Sequence, residues 1–85
     1  MKIAIAKEAA RGWAEAGEKR RVALRAVLEQ VAANPALRHP KVLPFRGLKN
    51  GFRVRIGDWR AVYVLDRDAD TLLVLKVAPR GRVYK

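Results

Sequence analysis

The chain has 85 residues and no cysteine. That removes disulfides, thiol nucleophiles and thiolate metal sites together. Histidine occurs once, at His39, and no spacing of His, Asp and Glu reads as a metal site. No glycine-rich phosphate loop and no nucleophile triad is present, so the enzyme classes built on them are not indicated. No apolar run approaches the ~20 residues needed to span a bilayer. The opening MKIAIAKEAARG has no true hydrophobic region and no cleavage site, so neither a membrane anchor nor a secretory signal is expected. A cytoplasmic protein is the expectation. There is no internal repeat, low-complexity stretch or linker, and a single domain over 1–85 is expected.

Acidic residues are also scarce. Eight Asp and Glu face nineteen Lys and Arg, a formal net charge of +11. About half of the residues are hydrophobic, enough for a folded core. The charge is beyond the magnitude of roughly 2 to 8 usual for small soluble domains. Such an excess opposes compaction and favours a polyanionic partner, either nucleic acid or an acidic protein.

Hydrophobic periodicity places the elements. KIAIA (2–6) alternates and reads as a strand. KEAARGWAEA (7–16) puts Ala9, Ala10, Trp13 and Ala16 on one side of a helix, with Gly12 costing about 1 kcal/mol relative to Ala. EKRRVALRAVLEQVAA (18–33) carries Leu24, Val27, Leu28 and Val31 at helical spacing, and Asn34-Pro35 ends it. The pair forms an αα-hairpin through Gly17. His39 falls in the loop that follows. VLPF (42–45) fits a short edge strand, where Pro44 is tolerated. FRVRI (52–56), WRAVYVLD (59–66) and TLLVLKVA (71–78) then form a meander. The order predicts an α+β fold, β-α-α then β-strands, with both helices on one face of a mostly antiparallel sheet.

The segment FRVRIGDWRAVYVL holds Arg53, Arg55 and Arg60 within eight residues. A two-residue turn at Gly57-Asp58 pairs Ile56 with Trp59 and Arg55 with Arg60. Alternation then gives an apolar face of Phe52, Val54, Ile56, Trp59, Ala61, Tyr63 and Leu65. The opposite face carries all three arginines with Val62 and Val64. Like charges directly opposed destabilise a strand pair. Either they are solvated individually, or an anion lies between them. Guanidinium groups grip phosphate bidentately, so a phosphodiester suits the second case. The closing VAPRGRVYK brings Arg80, Arg82 and Tyr84 off the last strand, toward the turn end near Arg60. Trp13 and Trp59 both read as packing residues.

The order β-α-α-β-β-β, the segment LKNGFRVRIGDWRAVYVLD and the ending VLKVAPRGRVYK resemble the RelE/ParE superfamily of type II toxin–antitoxin toxins. The resemblance spans essentially the whole chain. It implies the RelE-like microbial-RNase type of fold, a two-helix hairpin against one face of a twisted sheet. RelE-like members are ribosome-dependent endonucleases that cut mRNA without a metal, using the RNA's own 2′-hydroxyl. On that resemblance Arg60 and Arg80 clamp the scissile phosphate, and Tyr84 stacks on or orients the substrate. Arg53 and Arg55 occupy the positions of a lysine pair. Arg82 and Lys49, outside that resemblance, are further candidate phosphate contacts. The arginines are a departure, because a guanidinium does not serve as a general base. Some relatives use Glu or His; here Pro79 stands before Arg80 where a His is usual, His39 is in a distant loop, and Asp58 is a turn former. ParE-like members share the fold and poison DNA gyrase through protein contacts. Either branch implies a cognate antitoxin, an acidic or amphipathic segment covering helices and basic face. A third reading is a non-enzymatic basic module that binds nucleic acid through phosphates alone.

Overall fold

The computed structural model describes residues 1–37 and 39–79. The chain runs β1 (Lys2–Ile5), α1 (Lys7–Glu15), α2 (Glu18–Ala33), β2 (Val42–Pro44), β3 (Gly51–Ile56), β4 (Trp59–Asp66) and β5 (Thr71–Pro79). The expected α+β order is found, and no element end moves by more than one residue. The strands form one sheet in the order β1-β5-β4-β3-β2. β1 lies parallel to β5, and the other neighbours are antiparallel. β2 is an edge strand, so Pro44 costs the ladder little.

Both helices cover the same face of this sheet. Ala9 and Ala16 of α1 and Leu24, Leu28 and Val31 of α2 pack with Val54, Ala61, Tyr63, Leu65, Leu72, Val74 and Val77. Trp13 and Trp59 are partly buried against this core, as packing residues should be. Ala10 is exposed, contrary to its expected place. The apolar stripe of α1 runs through 9, 13 and 16, and position 10 is one residue, about 100°, away from it.

Gly12 explains itself in this packing. A Cβ there would lie 1.7 Å from the carbonyl oxygen of Val77. α1 therefore approaches β5 more closely than any side chain permits. The loss of helix propensity at Gly12 is offset by the close contact of helix and strand. At the other end of α1, the first turns of α2 supply donors. Arg21 donates to the carbonyls of Trp13 and Ala14 at 3.3 and 2.8 Å, and Arg20 to that of Ala16 at 3.1 Å. These carbonyls lack intrahelical partners, so two arginines of the EKRR run act as caps. Arg20 also lies over the Trp59 ring, 5.7 Å from its centroid.

The β3–β4 hairpin has the expected register, with Ile56 opposite Trp59, Arg55 opposite Arg60, Val54 opposite Ala61 and Arg53 opposite Val62. Gly57 takes φ +58°, while Asp58 stays outside the left-handed region. Only the first turn residue needs positive φ, as in a type II′ turn. β5 contains a feature the sequence did not announce. Its register against β4 shifts between Val62 and Tyr63: Tyr63 pairs with Val74, and Val62 with Lys76. Leu75 is the extra residue of a β-bulge. Before it, Leu72 and Val74 face the core; after it, Val77 does. Lys76 and Ala78 are thereby set on the opposite face. Among the described residues no helix is long and apolar enough to cross a membrane.

Candidate functional site

The sheet face turned away from the helices is ordered in transverse rungs. Leu43, Arg53, Val62 and Lys76 form one, as β2–β3, β3–β4 and β4–β5 partners. The next, toward the hairpin turn, contains Arg55, Arg60 and Ala78. Continuing the β2–β3 register by one residue brings Lys41 level with Arg55. Adjacent strands are about 4.8 Å apart, so the cations of a rung are close neighbours. Lys41, Leu43, Arg53, Val54, Arg55 and Arg60 together line a cleft of about 150 Å³.

The electrostatics of this cleft are one-sided. Four of its six lining residues are cations, and none is a carboxylate. Val62, between the arginines, is only 4% exposed. It is a central-strand residue with Arg53 across on β3 and Lys76 across on β5. Arg55 Nε donates to the carbonyl of Gly57 at 3.4 Å, folding that side chain over its own turn. The Nη1 atom of Arg60 is buried and has no hydrogen-bond partner among the described residues. Leaving a buried charged donor unpaired costs more than an average hydrogen bond contributes. An oxyanion in the cleft would satisfy it and relieve the opposition of Arg55 and Arg60. Preorganised guanidiniums of this kind also stabilise negative charge that grows during a displacement at phosphorus.

Not every candidate joins this cluster. Lys49 is exposed in the turn between β2 and β3, and lines neither cleft in which Arg53 takes part. Asp58 is exposed at the hairpin turn and is not part of the cleft. His39 Nε2 donates to the carbonyl of Asn34 at 3.1 Å, beside the end of α2. Tyr63, the tyrosine within the described residues, is on the helix side of the sheet, 1% exposed, with its ring stacked on Phe52. Burial pushes its phenol far up, so it stays protonated at neutral pH. Arg80, Arg82 and Tyr84 lie outside the described residues. The strand that leads to them ends at Pro79, opposite Trp59. No group of three or more His, Asp and Glu among the described residues is arranged to hold a metal ion.

Two cations of this face went unnoticed in the sequence. Lys41 precedes a three-residue strand inside a loop bounded by prolines, and only alternation counted back from Leu43 could have assigned its side. Lys76 sits in the otherwise apolar stretch LLVLKVA (72–78), where the bulge that turns it outward leaves no mark.

Comparison with known proteins gives a consistent picture. Residues 3–84 match the family described as the ParE toxin of the parDE type II toxin–antitoxin system. No curated protein sequence matches significantly. Solved structures do. The isolated RelE toxin of E. coli superposes with a TM-score of 0.78 at 21% identity, covering 98% of this chain and 89% of that one. RelE in the RelE–RelB complex of Pyrococcus horikoshii gives 0.73 at 21% identity, with 95% and 96% covered. The RelBE2 toxin–antitoxin complex of Mycobacterium tuberculosis gives 0.62 at 24% identity, with 93% and 96% covered. At these identities the structures establish a shared RelE-like fold.

Proposed function

The chain belongs to the ParE toxin family within the RelE/ParE superfamily, and is thus a toxin of a type II toxin–antitoxin system; from that premise we propose that it is a ribosome-dependent mRNA endonuclease. The observation that carries this reading is the cleft lined by four cations and no carboxylate, with a buried Arg60 N–H that has no partner among the described residues. In the proposed reaction the 2′-hydroxyl attacks the adjacent phosphorus. A P–O2′ bond forms and the P–O5′ bond breaks, leaving a 2′,3′-cyclic phosphate and a 5′-hydroxyl. The hydroxyl's proton is lost as the leaving oxygen gains one. Arg60, with Arg80, carries the charge on the non-bridging oxygens. Arg53, Arg55, Arg82 and Lys49 hold backbone phosphates, and Tyr84 orients the nucleotide. Guanidiniums do not accept the proton, so this reading assigns the arginines to charge stabilisation only. The reaction needs no cofactor. The whole chain, 1–85, acts as one toxin domain in the cytoplasm. A cognate antitoxin supplies an acidic segment that covers the basic face.

The test is expression of the wild type and of Arg60→Ala, with mRNA ends mapped on ribosomes. Arg60→Ala should lower cleavage by about 10²- to 10³-fold, the scale of removing one charge-stabilising donor. Undiminished cleavage in that variant would sink the assignment. A second reading, a gyrase poison acting by protein contacts, is favoured by the family model matched, which is that of ParE. It predicts inhibited supercoiling that survives Arg60→Ala, measured in parallel on the same preparations.

A further inference from the structure

Lys41 carries an assignment that neither motif nor resemblance supplies. It lines the arginine cleft together with Arg53, Arg55 and Arg60. It also lines a second cleft, of about 400 Å³, on the far side of the β2 edge, with Ala23, Ala26, Val27, Gln30 and Pro40. Lys41 is the one residue common to both. It is exposed and takes part in no ion pair found among the described residues. The turn that holds it is fixed by a backbone hydrogen bond, Val42 N–H to the His39 carbonyl at 3.1 Å. Its neighbour Leu43 pairs with Arg53, so alternation gives residues 41 and 43 the same side of the strand.

The row Lys41, Arg55, Arg60 therefore crosses three strands. Arg55 and Arg60, directly opposed, share one anion. Lys41 stands one strand spacing beyond Arg55 and two, about 9.6 Å, from Arg60 along the row. That is too far to converge fully on the same oxygens, and in line for the next charge of a polyanion. We propose that Lys41 binds the phosphate adjacent to the one held by Arg55 and Arg60, so that a single-stranded polyribonucleotide crosses the rung and passes over the β2 edge. This rests on the reading of the arginine cleft as a phosphate site. Lys41 is a binding and positioning residue, and the minimal ligand it discriminates has two consecutive phosphates.

The experiment is an NMR titration of the intact chain with 2′-O-methylated oligoribonucleotides, which bind without being cut. A dinucleotide with one internal phosphate is compared with a tetranucleotide with three. Wild type, Lys41→Ala, Lys41→Arg and Arg60→Ala are titrated across a salt series. Lys41→Ala should leave dinucleotide affinity unchanged and weaken the tetranucleotide roughly three- to fivefold, the scale of one exposed ionic contact. Its slope of log K against log salt should shrink by about 0.7, one single-strand phosphate contact. Lys41→Arg should restore both. Equal weakening of the two ligands by Lys41→Ala, or no weakening of either, overturns the assignment. If Arg60→Ala weakens both ligands while Lys41→Ala is silent, only the role of Lys41 falls. If Arg60→Ala is silent as well, or the wild type binds neither ligand, the phosphate-site reading itself falls.

Discussion

At the scale of single residues, arginine performs several separate tasks in this protein. Arg20 and Arg21 satisfy carbonyls at the end of α1. Arg11 and Arg25 pair with Glu15 and Glu29 one helical turn on, in exposed contacts that contribute little. Arg55 and Arg60 face each other with no carboxylate between them. Only the last arrangement needs a ligand to make electrostatic sense. Gly12 shows the same dependence on surroundings. By propensity, Gly12→Ala should stabilise α1 by up to about 1 kcal/mol. The Cβ would meet the Val77 carbonyl oxygen, backbone on backbone, and the helix would have to lift from β5. The expected net effect is a loss of about 1–3 kcal/mol, the usual scale of overpacking. Urea unfolding checks it, and an unchanged or raised midpoint would refute the close-approach account.

At the scale of elements, the hairpin and the bulge determine which side chains share a face. Alternation and the Gly57-Asp58 turn were sufficient to read the β3–β4 register from the sequence, because one face is apolar throughout and a slip of one residue would expose it. The bulge in β5 was not legible. TLLVLKVA is apolar on nearly every position, as expected of a strand between two neighbours, and such a run does not disclose its phase. Regular pairing onward from Tyr63–Val74 would have set Leu75 against Val62 and turned Lys76 inward. Deleting Leu75 makes the ladder regular and still leaves Lys76 opposite Val62 and Val77 opposite Ala61. The deletion is therefore expected to retain the fold at a cost of roughly 1–3 kcal/mol, the range of an ordinary substitution. Native-like circular dichroism with cooperative melting checks this. A variant that fails to fold would mean that the bulge's added twist is required as well.

At the scale of the whole molecule, the carboxylates are kept out of the arginine cleft. All four glutamates are on the helices, and three of the four aspartates lie at or after the end of β4, in 66–70. Asp66 is six residues from Arg60 along β4, about 20 Å at strand rise. Among the described residues, Lys41, Arg53, Arg55, Arg60 and Lys76 share the face opposite the helices. A long single-stranded RNA that engages Lys41, Arg53 and the Arg55–Arg60 pair, three phosphates in all, should bind with a log K against log salt slope of about −2.1, roughly 0.7 per phosphate. Fluorescence anisotropy across a salt series measures it, and a slope near zero would show that the face does not bind through phosphates.

The sequence by itself determined the elements, the hairpin register and the choice of arginine for the open face. Each of these follows from local chemistry: periodicity, turn residues, and the sign of neighbouring charges. It also indicated the superfamily, through residues close together in the chain. Tertiary structure alone decided what lies across the sheet. The β2–β3 pairing brought Lys41 to the arginines, the bulge turned Lys76 outward, and the packing of α1 on β5 gave Gly12 its reason. These are contacts between residues distant in sequence, and their positions depend on register and close approach, which no local pattern records.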